Sequence, residues 1–295
     1  MIRLLALALA AAIPAAVFAQ PAPGPKPAPP VAADPDEIVV KGRRMREQEL
    51  TRFVDALTPS RMRGQIVRHA LPVCPATFGL TEPQTRAVTA RLRTIAAAVA
   101  VPLAPAGCKP NLLVMVTDDR QVLARRIRAA LSDRRLAPVA LAPDPGKAIV
   151  LHFEGELDAN RQLVGIKEEG GDGPGGYGEV EVFTSDRIRP GTSPTFLASI
   201  LVVEPAALDG LTTIQLADYA AMRLLAKTDP ARVPASAPTI LSILDAPLDT
   251  NVPITLTAWD LAFLKGLYAS TERSYAGSQR GEIRKQLRKD LERPR

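Results

Sequence analysis

Residues 210–226 read GLTTIQLADYAAMRLLA, and the apolar positions recur at helical spacing. With Ile214 at the centre of the stripe, Asp218, Ala221, Met222 and Leu225 follow at i+4, i+7, i+8 and i+11, all on one face. The pattern predicts a helix that carries Asp218 into the core. An isolated carboxylate there is costly, so it must be paired and hydrogen-bonded or keep its proton. Catalytic acids are made this way, and so are structural Asp–Arg or Asp–backbone links. The spacing sets no second carboxylate or histidine beside it, which favours the structural role.

Outward from this helix, strands and helices alternate. Residues 199–204 (SILVVE) form a strand just before it, and residues 234–245 hold a short apolar turn at 240–244. Thr257 caps a further helix with Asp260 at its third position, and Leu261, Leu264 and Tyr268 make its buried stripe. Upstream, Leu50, Phe53, Val54 and Leu57 mark an amphipathic helix over 46–57. Thr81-Glu82-Pro83-Gln84 is a capping box that opens a helix through Val88, Leu92, Ile95 and Val99. Residues 111–116 (NLLVMV) read as a strand, and Thr117-Asp118-Asp119 caps the next helix. The two carboxylates of that cap offer a cation only a weak alternative site. Residues 149–157 alternate as a strand, with His152 and Glu154 opposite Leu151 and Phe153; residues 163–166 and 179–184 are candidate strands. The glycine-rich run at 170–178 lies between two strands and lacks a Gly-Lys-Ser/Thr ending, so it reads as a hairpin tip rather than a phosphate loop. The whole predicts one α+β domain over 46–275, a single mixed domain with helices packed on a small sheet.

The chain has 295 residues, 46% hydrophobic and 23% charged, with mean hydropathy +0.04, which is enough apolar material for a core. Residues 1–19 carry an early Arg3, an apolar run and Val17-Phe18-Ala19 before Gln20, the pattern of a secretory signal peptide cut near Ala19. A periplasmic or otherwise exported protein is therefore expected. Export favours a bridge between Cys74 and Cys108, the only two cysteines. Closing that loop is worth on the order of 3–4 kcal/mol in the chain-entropy picture. A redox or nucleophilic thiol is the alternative, against which stand the lack of Cys-x-x-Cys and the placement of Cys74 before Pro75. Residues 20–45 begin as a proline-rich linker. The formal net charge is +6, concentrated in 276–295, where Arg280, Arg284, Lys285, Arg288, Lys289, Arg293 and Arg295 outnumber Glu282, Asp290 and Glu292. This basic C-terminal helix offers a weak contact to an anionic surface, or is simply a solvated face. Nucleic acid is not an expected partner, since basic and aromatic residues do not interleave.

Residues 36–42 (DEIVVKG) resemble the segment that opens the mature plug of TonB-dependent outer-membrane receptors. The resemblance implies docking to an envelope protein or receptor through Ile38, Val39 and Val40. At 4% aromatic the remainder is too poor, and too short, for a receptor barrel. The succession SILVVE, the 210–226 helix, the ILSIL turn and LTAWDLAFLKGLYAS resembles the C-terminal half of an uncharacterised family of exported bacterial envelope proteins. Parts of that family are similar to zincin-type metallopeptidases. A zincin needs His-Glu-x-x-His on one helix, so that two imidazoles hold zinc and the glutamate activates water. Here the matching positions read Gln215-Leu216-Ala217-Asp218-Tyr219, and the only histidines, His69 and His152, lie elsewhere and read as ordinary residues. No Gly-x-Ser-x-Gly elbow or Ser-x-x-Lys occurs. The resemblance thus implies a degenerate, zincin-like fold without metal or cofactor, acting as a non-catalytic binding or scaffold domain. Two alternatives stand beside it. One is a metal-independent hydrolase using Asp218 with Tyr219 or Glu204; the other is an accessory to a TonB-dependent receptor.

Overall fold

The computed structural model describes residues 47–59, 64–132, 147–164, 189–246 and 252–292. The expected signal peptide, linker and docking residues Ile38, Val39 and Val40 lie outside these, as do the glycine-rich run and the candidate strand at 179–184.

Among the described residues four strands make one sheet: β1 (Pro75–Phe78), β2 (Leu112–Val116), β3 (Ala148–Leu157) and β4 (Ser193–Val203), in the order β1-β2-β4-β3. The first, second and fourth run parallel; β3 is an antiparallel edge. Helix α1 spans 47–57, followed by α2 (Glu82–Ala98), α3 (Arg120–Ser132), α4 (Thr213–Leu224), α5 (Ala258–Ala269) and α6 (Ala276–Leu291). This is the α+β architecture expected, with helices on a small mixed sheet. Strand β1 is too short and too proline-marked to stand out in the sequence. β4 begins six residues before SILVVE, with Pro194 near its start, where a missing N–H costs the ladder least.

α2 is the crossover that makes β1 and β2 parallel neighbours. Gln84 Oε1 accepts from the Thr81 backbone N–H at 3.1 Å, the reciprocal half of a capping box. The β1–α2 turn requires a glycine: Gly79 has φ +85°, and a Cβ there would lie 2.0 Å from the Val116 carbonyl oxygen.

The sheet buries both faces, which is why its strands read as near-continuous apolar runs rather than clean alternations. On one side α2, α4, α5, α6 and α1 pack over Leu112, Val114, Ala148, Val150, Leu201 and Val203 in the main core. On the other, α3 covers a smaller cluster with Ala124, Leu123 and Ile127 against Ile149, Leu151, Phe153, Ile200 and Val202. Strand β3 follows the predicted alternation as far as Phe153, since Leu151 and Phe153 join the small cluster and His152 faces the other way; at Glu154 the register shifts. Residues 158–164 fold back on it, with the Val164 N–H donating to Glu156 O at 2.9 Å.

The terminal basic helix is part of this packing. Ala276, Ile283 and Leu287 of α6 are fully buried. Its arginines meet α1: Arg280 and Arg284 lie 3.7 and 3.6 Å from Asp55, and Arg288 pairs with Glu47. Cys74 and Cys108 are bridged, tying the strand β1 to the loop before β2. No described helix is long and apolar enough to cross a membrane.

Candidate functional site

Helix α4 departs from the predicted stripe. Ile214, its expected centre, is 48% exposed, whereas every residue from Gln215 to Leu224 is buried. The reason is geometric: α4 is wrapped by the sheet, α2, the turn at 240–242 and the segment 252–256, and Ala217, Ala220 and Ala221 let these neighbours close in. Only its first turn protrudes. Thr212 caps that turn, its hydroxyl accepting from Gln215 N at 3.1 Å. The Gln215 side chain reaches out to Pro253 O at 3.0 Å.

Asp218 is fully buried and fully engaged. Arg91 of α2 donates Nε to Oδ1 at 2.8 Å and Nη2 to Oδ2 at 3.1 Å, a two-pronged ion pair. The Thr255 hydroxyl and Leu256 N–H both donate to Oδ2 at 2.6 Å. This is the structural Asp–Arg and Asp–backbone link, joining α2, α4 and the approach to α5. The other two catalytic candidates are elsewhere. Tyr219 is buried, and its hydroxyl accepts from Arg223 Nη1 at 2.8 Å one turn on. Glu204 ends β4 and pairs with Arg120 at the start of α3, 3.4 Å away. Asp218, Tyr219 and Glu204 therefore answer to three separate cations. Asp119 caps α3, accepting from Val122 N at 2.8 Å, as the Thr-Asp-Asp run predicts.

The same logic governs Asp260, fully buried at the start of α5. It accepts from Thr239 Oγ1 at 2.5 Å, Ile240 N at 2.9 Å and Thr257 N at 3.0 Å. Burial raises its pKa, and those donors oppose the rise without cancelling it.

The structure also assembles a polar cluster that the sequence did not announce. Ser199 of β4 is fully buried, and its hydroxyl lies 2.9 Å from His152 Nδ1 of β3 and 3.1 Å from His69 Nε2. The His69 Nε2 is also 3.1 Å from Leu224 O. That carbonyl only accepts, so Nε2 carries the proton. His69 and Tyr268, whose hydroxyl donates to Leu225 O at 2.8 Å, thus satisfy orphan carbonyls at the end of α4. Phe196 stacks on His152, ring centroids 4.3 Å apart. His152 is a residue of strand β3, and neither histidine is at the surface: both are buried partners of one hydroxyl. Positions 69 and 199 are 130 residues apart, so no spacing rule links them.

Burial holds the His69 pKa down to about 4, opposed by its bond to Leu224. The His152 pKa is pushed well below 6.5, first by burial and then by the charges of His69, Lys227 and Arg223. Both rings are neutral in the fold, while the unfolded chain protonates them near 6.5. Unfolding therefore takes up protons as pH falls from 6.5 toward 4, so stability present above 6.5 is lost through that window. For His69 alone the loss is on the order of 3 kcal/mol by pH 4. Urea midpoints measured at pH 7.5 and 5.0 should fall in the wild type and fall less in His69→Gln. Equal wild-type midpoints would contradict this assignment.

Among the described residues no group of three or more His, Cys, Asp or Glu side chains is placed to hold a metal ion. No protein-family model, characterised protein or solved structure matches this chain.

Proposed function

We propose that this chain is an exported, non-catalytic binding or scaffold domain built on a degenerate peptidase-like helix. The observation that carries the reading is the state of Asp218: it is 0% exposed, and both of its oxygens are taken by Arg91, Thr255 and Leu256. A general acid or base needs a reachable proton site, and this carboxylate has none to spare. The positions that would hold a zincin motif, 215–219, are occupied by side chains committed to packing or to internal bonds. Export is supported by the leader pattern of residues 1–19 and by the Cys74–Cys108 bridge, which oxidising compartments favour.

In this reading the partner would meet the exposed first turn of α4. Ile214 and Ile254 are 48% and 80% exposed and flank the Gln215–Pro253 hydrogen bond.

Asp218→Asn separates the readings. In a scaffold it weakens the ion pair and lowers the melting temperature by about 4–8 °C, from a loss of about 2 kcal/mol. A photo-crosslinker placed at 214 or 254 should still give a discrete adduct in intact cells. If the variant melts within about 1 °C of wild type, the carboxylate is not structural and the hydrolase reading returns. If neither position yields an adduct, this surface is not where a partner binds.

A further inference from the structure

Strand β4 changes neighbours at Ser199. Before it, Thr195 bridges to Arg68: the Phe196 N–H donates to Arg68 O at 3.1 Å, and Ala70 N–H to Thr195 Oγ1 at 3.0 Å. From Ser199 onward β4 pairs with β2, starting with Ser199 N–H to Asn111 O at 2.9 Å. On its other side Ser199 stands opposite His152, and the β3–β4 register shifts between Phe153 and Glu154. Three stretches of backbone therefore meet at one hydroxyl. They are segment 64–73 through His69, edge strand β3 through His152, and β4 itself.

We propose that the His69–Ser199–His152 cluster is an acid-released latch, whose protonation frees segment 64–73 and strand β3 from β4 while α2 and α4 stay folded. The proton inventory supplies the mechanism. His69 Nε2–H is committed to Leu224 O and Ser199, and the single Ser199 O–H donates to His152 Nδ1. A proton arriving on His152 Nδ1 reverses that bond. Ser199 must then accept from two imidazoles, and its own hydrogen loses its acceptor. A proton arriving on His69 Nδ1 finds no hydrogen-bond partner among the described residues.

Among the described residues the surrounding charges do not accommodate either proton. Arg223 of α4 and Lys227 beyond it add positive charge on the side of His152. Glu154 of β3 is already held by Lys227 at 2.9 Å. Arg68, beside His69, is buried and engaged with the end of α5, its Nη2 donating to Ser270 O at 2.8 Å. Tyr268 of α5 spends its hydroxyl proton on Leu225 O. The neutral state of both rings agrees with this inventory. Exposure to water lets both protonate, and the elements that must move lie at the margin of the sheet: segment 64–73 meets β4 at an isolated bridge, and β3 is an edge strand whose ladder to β4 shifts register beside the cluster. The buried faces of α2 and α4 pack in the main core, away from that bridge and that shift.

Hydrogen–deuterium exchange of the whole chain at pH 7.5, 6.0 and 5.0, corrected for intrinsic rates, tests the latch. Opening linked to one proton grows up to about tenfold per pH unit below 6.5, and with two protons up to about 100-fold. Peptides covering 64–73 and 148–157 should lose protection on that scale while those covering α2 and α4 keep theirs. Glutamine sets an amide at the Nε2 position and asparagine one at Nδ1. His69→Gln/His152→Asn should therefore keep the bonds and flatten the pH response, and either single change should reduce its slope. The wild-type titration decides without any variant: unchanged protection at pH 5.0, or simultaneous loss in all four regions, overturns the latch. So does a folded double variant that opens at the wild-type pH.

Discussion

Arg91→Met is expected to destabilise the fold by about 2–3 kcal/mol, although the residue is 34% exposed and no core side chain is shortened. The loss comes from Asp218. Without the guanidinium, a fully buried carboxylate keeps only the Thr255 hydroxyl and the Leu256 N–H. Two hydrogen bonds do not replace the opposite charge in a poorly hydrated site, so the carboxylate is left charged at a cost or forced to take a proton. The exposure of Arg91 keeps the figure at the lower end of what breaking a buried pair costs. Adding Asp218→Leu to Arg91→Met should recover much of the loss, because two apolar residues leave no unpaired charge. Urea denaturation of the two single variants and the double gives a coupling energy directly. Single-variant losses below about 0.5 kcal/mol would show that the pair is not what joins α2 to α4.

Phe53→Ala should cost more, about 3–5 kcal/mol. Phe53 is fully buried and meets Trp259 and Phe263 edge-on, with ring centroids at 5.2 and 6.1 Å. Removing the ring opens a cavity between α1 and α5 that Leu50 and Leu57, already buried, cannot fill. The ladder of Arg280, Arg284 and Arg288 with Asp55 and Glu47 will not compensate, since such partly exposed pairs contribute about 0–1 kcal/mol each. A midpoint shift in urea with an unchanged slope is the expected signature. A cost under about 1 kcal/mol would mean that α1 is an appendage and not part of the core.

Much of the local architecture was legible because it depends on neighbours in sequence. The helices at 47–57, 82–98, 213–224 and 258–269 follow from apolar spacing and from capping boxes at Thr81 and Thr257, to which the structure adds a third at Thr212. The buried position of Asp218 was legible too, along with the requirement that it be paired or keep its proton. Its partner was not, because Arg91 is 127 residues away and nothing local distinguishes it from the arginines beside it. The centre of the α4 stripe was misplaced at Ile214. In a helix buried on all sides periodicity loses its meaning, since there is no polar face to set the phase.

The basic tail illustrates the same division. Its composition announces a cationic helix, but its charge is partly met by α1, whose acids arrive only through the packing of Ile283 and Leu287 into the core. The histidines are the sharpest case. His69 and His152 carry no motif, and their roles come from strand order, which sets β3 beside β4 and draws segment 64–73 across Ser199. Hydrophobic period, caps and the cysteine pair act over a few residues or through covalent chemistry, so the chain spells them out. The burial of two imidazoles around one hydroxyl depends on pairings between residues 47 and 130 positions apart, and those exist only once the sheet has formed.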